Sequence, residues 1–131
     1  MKGSATLVIL GQRWAEVYMA KNLGVSIPVS GGGSGTGIAA LINGTTEIAE
    51  SSRPMKDNEK ADVKAKRGKD VFELPVCVDG LAVYVNDANP VSELTLAQIK
   101  AIYTGGIKNW KDVGGRDEKI ILYSRENNSG T

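Results

Sequence analysis

Small hydroxyl residues stand beside glycine at three places along the chain, each after a strand-like stretch: Ser4-Ala5-Thr6, Gly33-Ser34-Gly35-Thr36 and Ser129-Gly130-Thr131. Each also falls at an expected helix start, where backbone N–H groups lack intrahelical partners and the peptide dipole is positive. With short hydroxyl donors added, such a loop supplies what an anion such as phosphate needs once its water has been stripped. A Ser or Thr ahead of a helix is also the ordinary N-cap, so only convergence of several loops makes a site. Arg125 lies four residues before Ser129. It is either a solvated surface group or a fork that sets two parallel hydrogen bonds on an oxyanion. Arg53, after Ser51-Ser52, has the same two readings. Asp79, before Gly80, is either a turn residue or an acceptor for a protonated ligand oxygen.

The remaining chemistry narrows by exclusion. The chain has no histidine, which removes Ser-His-Asp and Cys-His nucleophiles, a histidine base and every His-ligated metal. Its single cysteine, Cys77, forms no internal disulfide or multi-Cys zinc site and reads as a small buried hydrophobe in the apolar run LPVCV. Gly33-x-Gly35-x-Gly37 lacks the wider spacing and following acidic residue of a dinucleotide fingerprint. Gly37 is followed by Ile38 rather than by the lysine of a Walker loop. A net charge of +1 with 24% charged residues offers no bulk attraction for nucleic acid or anionic membrane. No apolar run reaches membrane-spanning length, and no signal-peptide pattern precedes the first strand. No cofactor is expected. On size alone, 131 residues allow one ordinary domain.

The elements that must position these loops alternate. ATLVIL (5–10) reads as a short strand or strand-to-helix turn, followed by a helix with Leu10, Trp14, Val17 and Tyr18 on one face up to Gly24. VSIPVS (25–30) reads as a strand, and Ile38, Leu41 and Ile42 form the apolar face of a short helix ended by Gly44. TTEIAESSR (45–53) is a short strand running into a polar loop. Residues 57–67 form a solvated helix capped by Asp57 or Asn58 and stopped by Gly68. VFELPVCV (71–78), LAVYVN (81–86) and KIILYS (119–124) are strand-like. Thr95 to Gln98 is a capping box opening a helix with Leu96, Ile99, Ile102 and Tyr103 on its apolar stripe. Strands alternating with helices argue an α/β fold.

In this order, GSATL (3–7), GGGSGTGIAAL (31–41), EIAESSR (47–53), DGLAVYVN (79–86), NPVSELTLAQIKAIYTGGIKNW (89–110), VGG (113–115) and RENNSGT (125–131) closely resemble the PstS-type phosphate-binding proteins, the substrate-binding component of ABC phosphate uptake systems. The resemblance runs over nearly the whole chain. It implies an α/β, periplasmic-binding-protein-like (type II) fold, with two lobes joined by crossing hinge strands and closing on one desolvated phosphate. It also implies a non-enzymatic, periplasmic or cell-surface protein whose partners are inorganic phosphate and ABC permease subunits, not nucleic acid. Carried over position by position, the phosphate ligands are Thr6 with the Leu7 amide, Ser34, Ser52, Arg125, Ser129, Gly130 and Thr131. Ser4, Gly33 and Asp79 are further candidates.

Some relatives place an aspartate where Ser52 stands, to accept from a protonated phosphate. Serine there keeps sulfate and molybdate as alternative ligands, and a sensing or adhesive domain of the same fold is the other alternative. Family members run to roughly twice this length, so the resemblance implies a truncated chain. Residues 1–78 would form the first lobe without its C-terminal return segments, and 79–131 the hinge strand and start of the second. The expectations that follow are impaired phosphate binding by this chain alone, and self-association or domain exchange through unsatisfied sheet edges.

Overall fold

A computed structural model describes all residues from Met1 to Thr131. The chain divides into two compact units: Met1–Val78 together with Arg125–Thr131, and Asp79–Ser124. The segment 125–131, read from sequence with the second lobe, groups with the first unit. Hydrogen bonds that Asn128 makes to Gly32 and Gly35, one donated and one accepted, hold it there.

The first unit is built on a small parallel strand layer. β1 (Lys2–Gly3) pairs with β2 (Ala49–Glu50) in the register Lys2 to Ala49 and Gly3 to Glu50. On its other side, Lys2 makes a parallel bridge to Ser30. β1 is therefore central, with the second strand-like segment on one side and the third on the other. Helix α1 (Val8–Lys21) makes the first crossover and α2 (Ser34–Ile42) the second. Such a reversal of strand order leaves a crevice at the carboxyl ends of the strands, where open α/β layers bind ligands.

α2 packs on β1, β2 and α3 (Asp57–Arg67). Ile38, Met55 and Val63 form the core there, with Leu41, Ile42 and Val71 against them. α3 is charged on its remaining surface. Its cap residue is Lys56 rather than Asp57 or Asn58, because the Glu59 carboxylate reaches back to accept from Lys56 N at 2.8 Å. Gly68 ends it in the left-handed conformation, φ 67°.

Periodicity and alternation meet two physical limits here. α1 forms, but it buries its small residues, Gly11 and Ala15, so that the helix axis can approach the strand layer closely. Leu10, Trp14, Val17 and Tyr18 are consequently left exposed. Residues 71–78 carry no ladder: alternation and β-branching favour an extended backbone, but a strand also needs a neighbour to pair with. Cys77 is therefore exposed, not buried.

In the second unit the same limit applies to 81–86 and 119–124, which show no ladder beyond an antiparallel bridge from Asn109 to Lys119. The local capping signals are realised, although Leu96 and Tyr103 of the expected apolar stripe are exposed. Helix α4 (Leu96–Tyr103) starts at the Thr95 box, with Gln98 N donating to Thr95 Oγ1 at 3.2 Å and Thr95 N to Gln98 Oε1 at 2.8 Å. A 3-10 turn, Trp110–Val113, is capped by Asn109 and closed by Gly114. Gly115 packs under Trp110 and Val91, so the NW and VGG motifs build a turn. Val91, Ile102 and Ile120 are the buried apolar residues of this unit. No helix of the chain is long and apolar enough to cross a membrane.

Candidate anion-binding site

The three carboxyl ends of the strand layer present three of the expected loops. After β1, Ser4 is buried and its N–H donates to Glu50 O at 2.8 Å, which fixes the loop on β2. Ser4 Oγ accepts from Thr6 N at 3.2 Å, and Ser4 O accepts from Leu7 N at 3.2 Å. Ser4 is thus a turn builder. Thr6 extends into solvent, and the Leu7 amide is held within this turn.

After the Ser30 bridge comes the glycine-rich loop. Gly33 precedes α2 at φ 92°, a backbone conformation that favours glycine, and its N–H donates to Gly3 O at 2.9 Å. The first and second loops are thereby tied together. Ser34, the first residue of α2, is fully buried. Its Oγ accepts from Ser52 N at 3.0 Å and lies 3.2 Å from Ser52 Oγ. Ser52 Oγ in turn lies 3.1 Å from Thr131 Oγ1. Three hydroxyls from three separate segments therefore form one continuous chain, and Gly130 lies against it. A Cβ on Gly130 would strike Ser34 Oγ and come within 2.6 Å of Ser52 Oγ.

The 125–131 segment reaches this position through Asn128, a residue that sequence reasoning did not single out. Its Nδ2 donates to Gly32 O at 2.7 Å, and its carbonyl accepts from Gly35 N at 2.9 Å. Gly33 leaves room for it: a Cβ there would sit 2.7 Å from Asn128 O. An Asn-Asn pair ahead of Ser-Gly was the available signal, but its partners are remote in sequence. Within the segment Ser129 is half-buried, with its N–H donating to Glu126 O at 2.9 Å, and Arg125 is exposed.

Ser34, Ser52, Gly130 and Thr131 are thus brought together, with Gly33 and Ser129 adjoining. No hydrogen bond joins the side chains of Thr6 or Ser4 to the hydroxyl chain. Asp79 belongs to the other unit, where its Oδ1 accepts from Gly80 N at 2.8 Å, a turn contact. Arg53 resolves its ambiguity toward structure. Both its terminal nitrogens are bonded to Glu59, at 2.8 and 2.7 Å.

Electrostatically the cluster holds no carboxylate side chain. Glu50, two residues before Ser52, turns its side chain away onto Gly11 of α1, where burial pushes its pKa above the usual value against a smaller opposing effect of the N-terminal ammonium. Glu59 is held down at about 2, chiefly by its hydrogen bonds from Arg53. No group of three or more His, Cys, Asp or Glu side chains is placed to hold a metal ion. What remains is a set of hydroxyls, able to donate or accept, with small-residue backbone beside them: a binding arrangement for a compact polar anion.

The chain has relatives among known proteins. A family model described as a PBP superfamily domain matches residues 1–131. The phosphate-binding protein PstS of Bacillus subtilis is 37% identical over the whole chain, and that of Pseudomonas aeruginosa 35% identical over 98% of it. The chain spans 42% and 44% of those relatives' lengths. Among solved structures, a phosphate ABC transporter substrate-binding protein from Clostridium perfringens, with bound phosphate, superposes with a TM-score of 0.80 at 39% identity. An ABC-type phosphate transport receptor from Vibrio cholerae does so with a TM-score of 0.78 at 36% identity. Each comparison covers 98% of this chain and 50% of the other. Matched along its full length by the family model, the chain belongs to the PBP superfamily.

Proposed function

We propose that the Ser34–Ser52–Thr131 cluster binds inorganic phosphate, and that the chain is part of the extracytoplasmic solute-binding component of an ABC phosphate importer, delivering phosphate to membrane permease subunits. The observation carrying this reading is the convergence of hydroxyls from three segments at the carboxyl ends of parallel strands, with Gly130 backbone against them. The names and bound phosphate of the relatives support the choice of anion. Thr6, Leu7, Arg125 and Ser129 complete the proposed ligand set from the same unit.

Binding by this chain alone is expected to be impaired, with a Kd weaker than about 1 μM, because hydroxyls and amides with a single arginine must replace the whole hydration shell of a dianion. Calorimetric titration with phosphate, sulfate and molybdate at one pH tests the proposal. Saturable one-to-one phosphate binding, with sulfate at least tenfold weaker, is the expected result. Equal sulfate affinity, or no saturable phosphate binding, would overturn it. One observation favours a second reading: the cluster holds no carboxylate side chain to repel a fully deprotonated oxyanion such as sulfate. The same titration decides between them.

A further inference from the structure

Ser52 stands at the head of the loop joining β2 to α3, and this loop is braced at nearly every residue. Ser51 Oγ donates to Arg53 O at 2.6 Å and accepts from Arg53 N at 3.2 Å. Arg53 Nη1 donates to Glu59 Oε2 at 2.8 Å and to Pro54 O at 2.9 Å, and Nη2 donates to Glu59 Oε1 at 2.7 Å. Glu59 Oε2 also accepts from Lys56 N, and Met55 N donates to Glu73 Oε1 at 2.7 Å. Ser52 differs in turning its bonds outward, to Ser34 and Thr131. The Arg53 and Glu59 side chains are mostly buried, 23% and 17% exposed, and their pairing is a two-bond fork. Such a pair is stronger and more directional than a surface contact between single charges.

We infer that Arg53 and Glu59 are a positioning pair for Ser52. The fork anchors the loop to the first turn of α3 and so aims the Ser52 amide and hydroxyl at Ser34, while Arg53 acts as a strut and not as an anion ligand. An anion recruiting Arg53 would have to break both bonds and strand the Glu59 carboxylate. The inference rests on the proposed phosphate site, but its structural half is independent of any ligand.

Two measurements on the same variants test it. Glu59→Gln keeps an acceptor at the third position of α3, so the helix start survives while the ion pair is lost. Hydrogen exchange of the Ser52 amide reports the aim of the loop without ligand, and the Val63 amide inside α3 reports the helix itself. Glu59→Gln and Arg53→Lys are expected to speed Ser52 exchange about tenfold beyond any change at Val63, and to weaken phosphate binding about tenfold. Unchanged Ser52 exchange in Glu59→Gln overturns the positioning role. Faster exchange with unchanged or tighter phosphate binding overturns its link to the site. Absence of phosphate binding by the parent chain refutes the proposed function and leaves the exchange result to judge the strut.

Discussion

Glu50 and Glu59 flank the Ser52 loop and are driven in opposite directions. Both Glu50 oxygens are buried with no hydrogen-bond partner, pressed onto Gly11, so the neutral acid is favoured. Its folded pKa exceeds its unfolded one. Its contribution to stability is therefore present in acid below 4.5 and is lost as pH rises through the raised value. Glu59 behaves in the reverse sense. Its folded value of about 2 lies below the ordinary 4.5, so its contribution is present above 4.5 and is lost as pH falls toward 2. Urea unfolding across this range separates the two. Glu50→Met, which replaces both orphaned acceptors with an apolar chain of similar reach, is expected to gain about 1–3 kcal/mol at pH 7, the cost of burying an unsatisfied polar group. Glu59→Gln is expected to lose about 1–3 kcal/mol at pH 7 and to match the parent near pH 2. Destabilisation by Glu50→Met at pH 7 would show that the carboxylate is satisfied and charged in the folded chain.

At the scale of elements, what governs the outcome is how far each signal reaches. α4 and the Trp110 turn follow from caps that act within three residues, at Thr95 and Asn109; α4 forms as its capping box predicts, whereas the turn was not read from the sequence. The glycine-rich loop and the Ser52 loop were legible for the same reason: small residues and hydroxyls at a helix start declare themselves locally. The segment 125–131 was only half legible. Its Ser-Gly-Thr chemistry could be read, but its place could not, because Asn128 bonds to Gly32, 96 residues away. The outward apolar face of α1 was missed for a related reason, since helical periodicity marks a stripe without saying which side the strand layer takes. Asn128→Ala tests the docking directly. Loss of the bond to Gly32 is expected to free 125–131, to speed exchange of the Gly35 amide that donates to Asn128 O, and to weaken phosphate binding several-fold while far-UV circular dichroism stays unchanged. Unaltered Gly35 exchange would mean that the backbone contact alone holds the segment.

For the molecule as a whole, apolar surface is the governing quantity. Phe72, Val78, Leu81, Tyr84 and Tyr123 are each more than two-thirds exposed, all on extended stretches without ladder partners. Such stretches combine free backbone N–H and C=O groups with β-branched and aromatic side chains, which is the composition that recruits another strand. The charge to oppose association is small, a net +1. Two copies can satisfy these edges by pairing or by exchanging segments, and each exposed aromatic that becomes covered adds about 1.5–3 kcal/mol to the contact. Light scattering over a concentration series is expected to show a mass rising above that of one chain. Phe72→Lys together with Tyr84→Lys is expected to return it to the monomer, since lysine at an edge both removes apolar area and repels its copy. A single-chain mass for the parent at every concentration would mean that these edges are silent, and phosphate titrations could then be read as the property of one chain without correction for assembly.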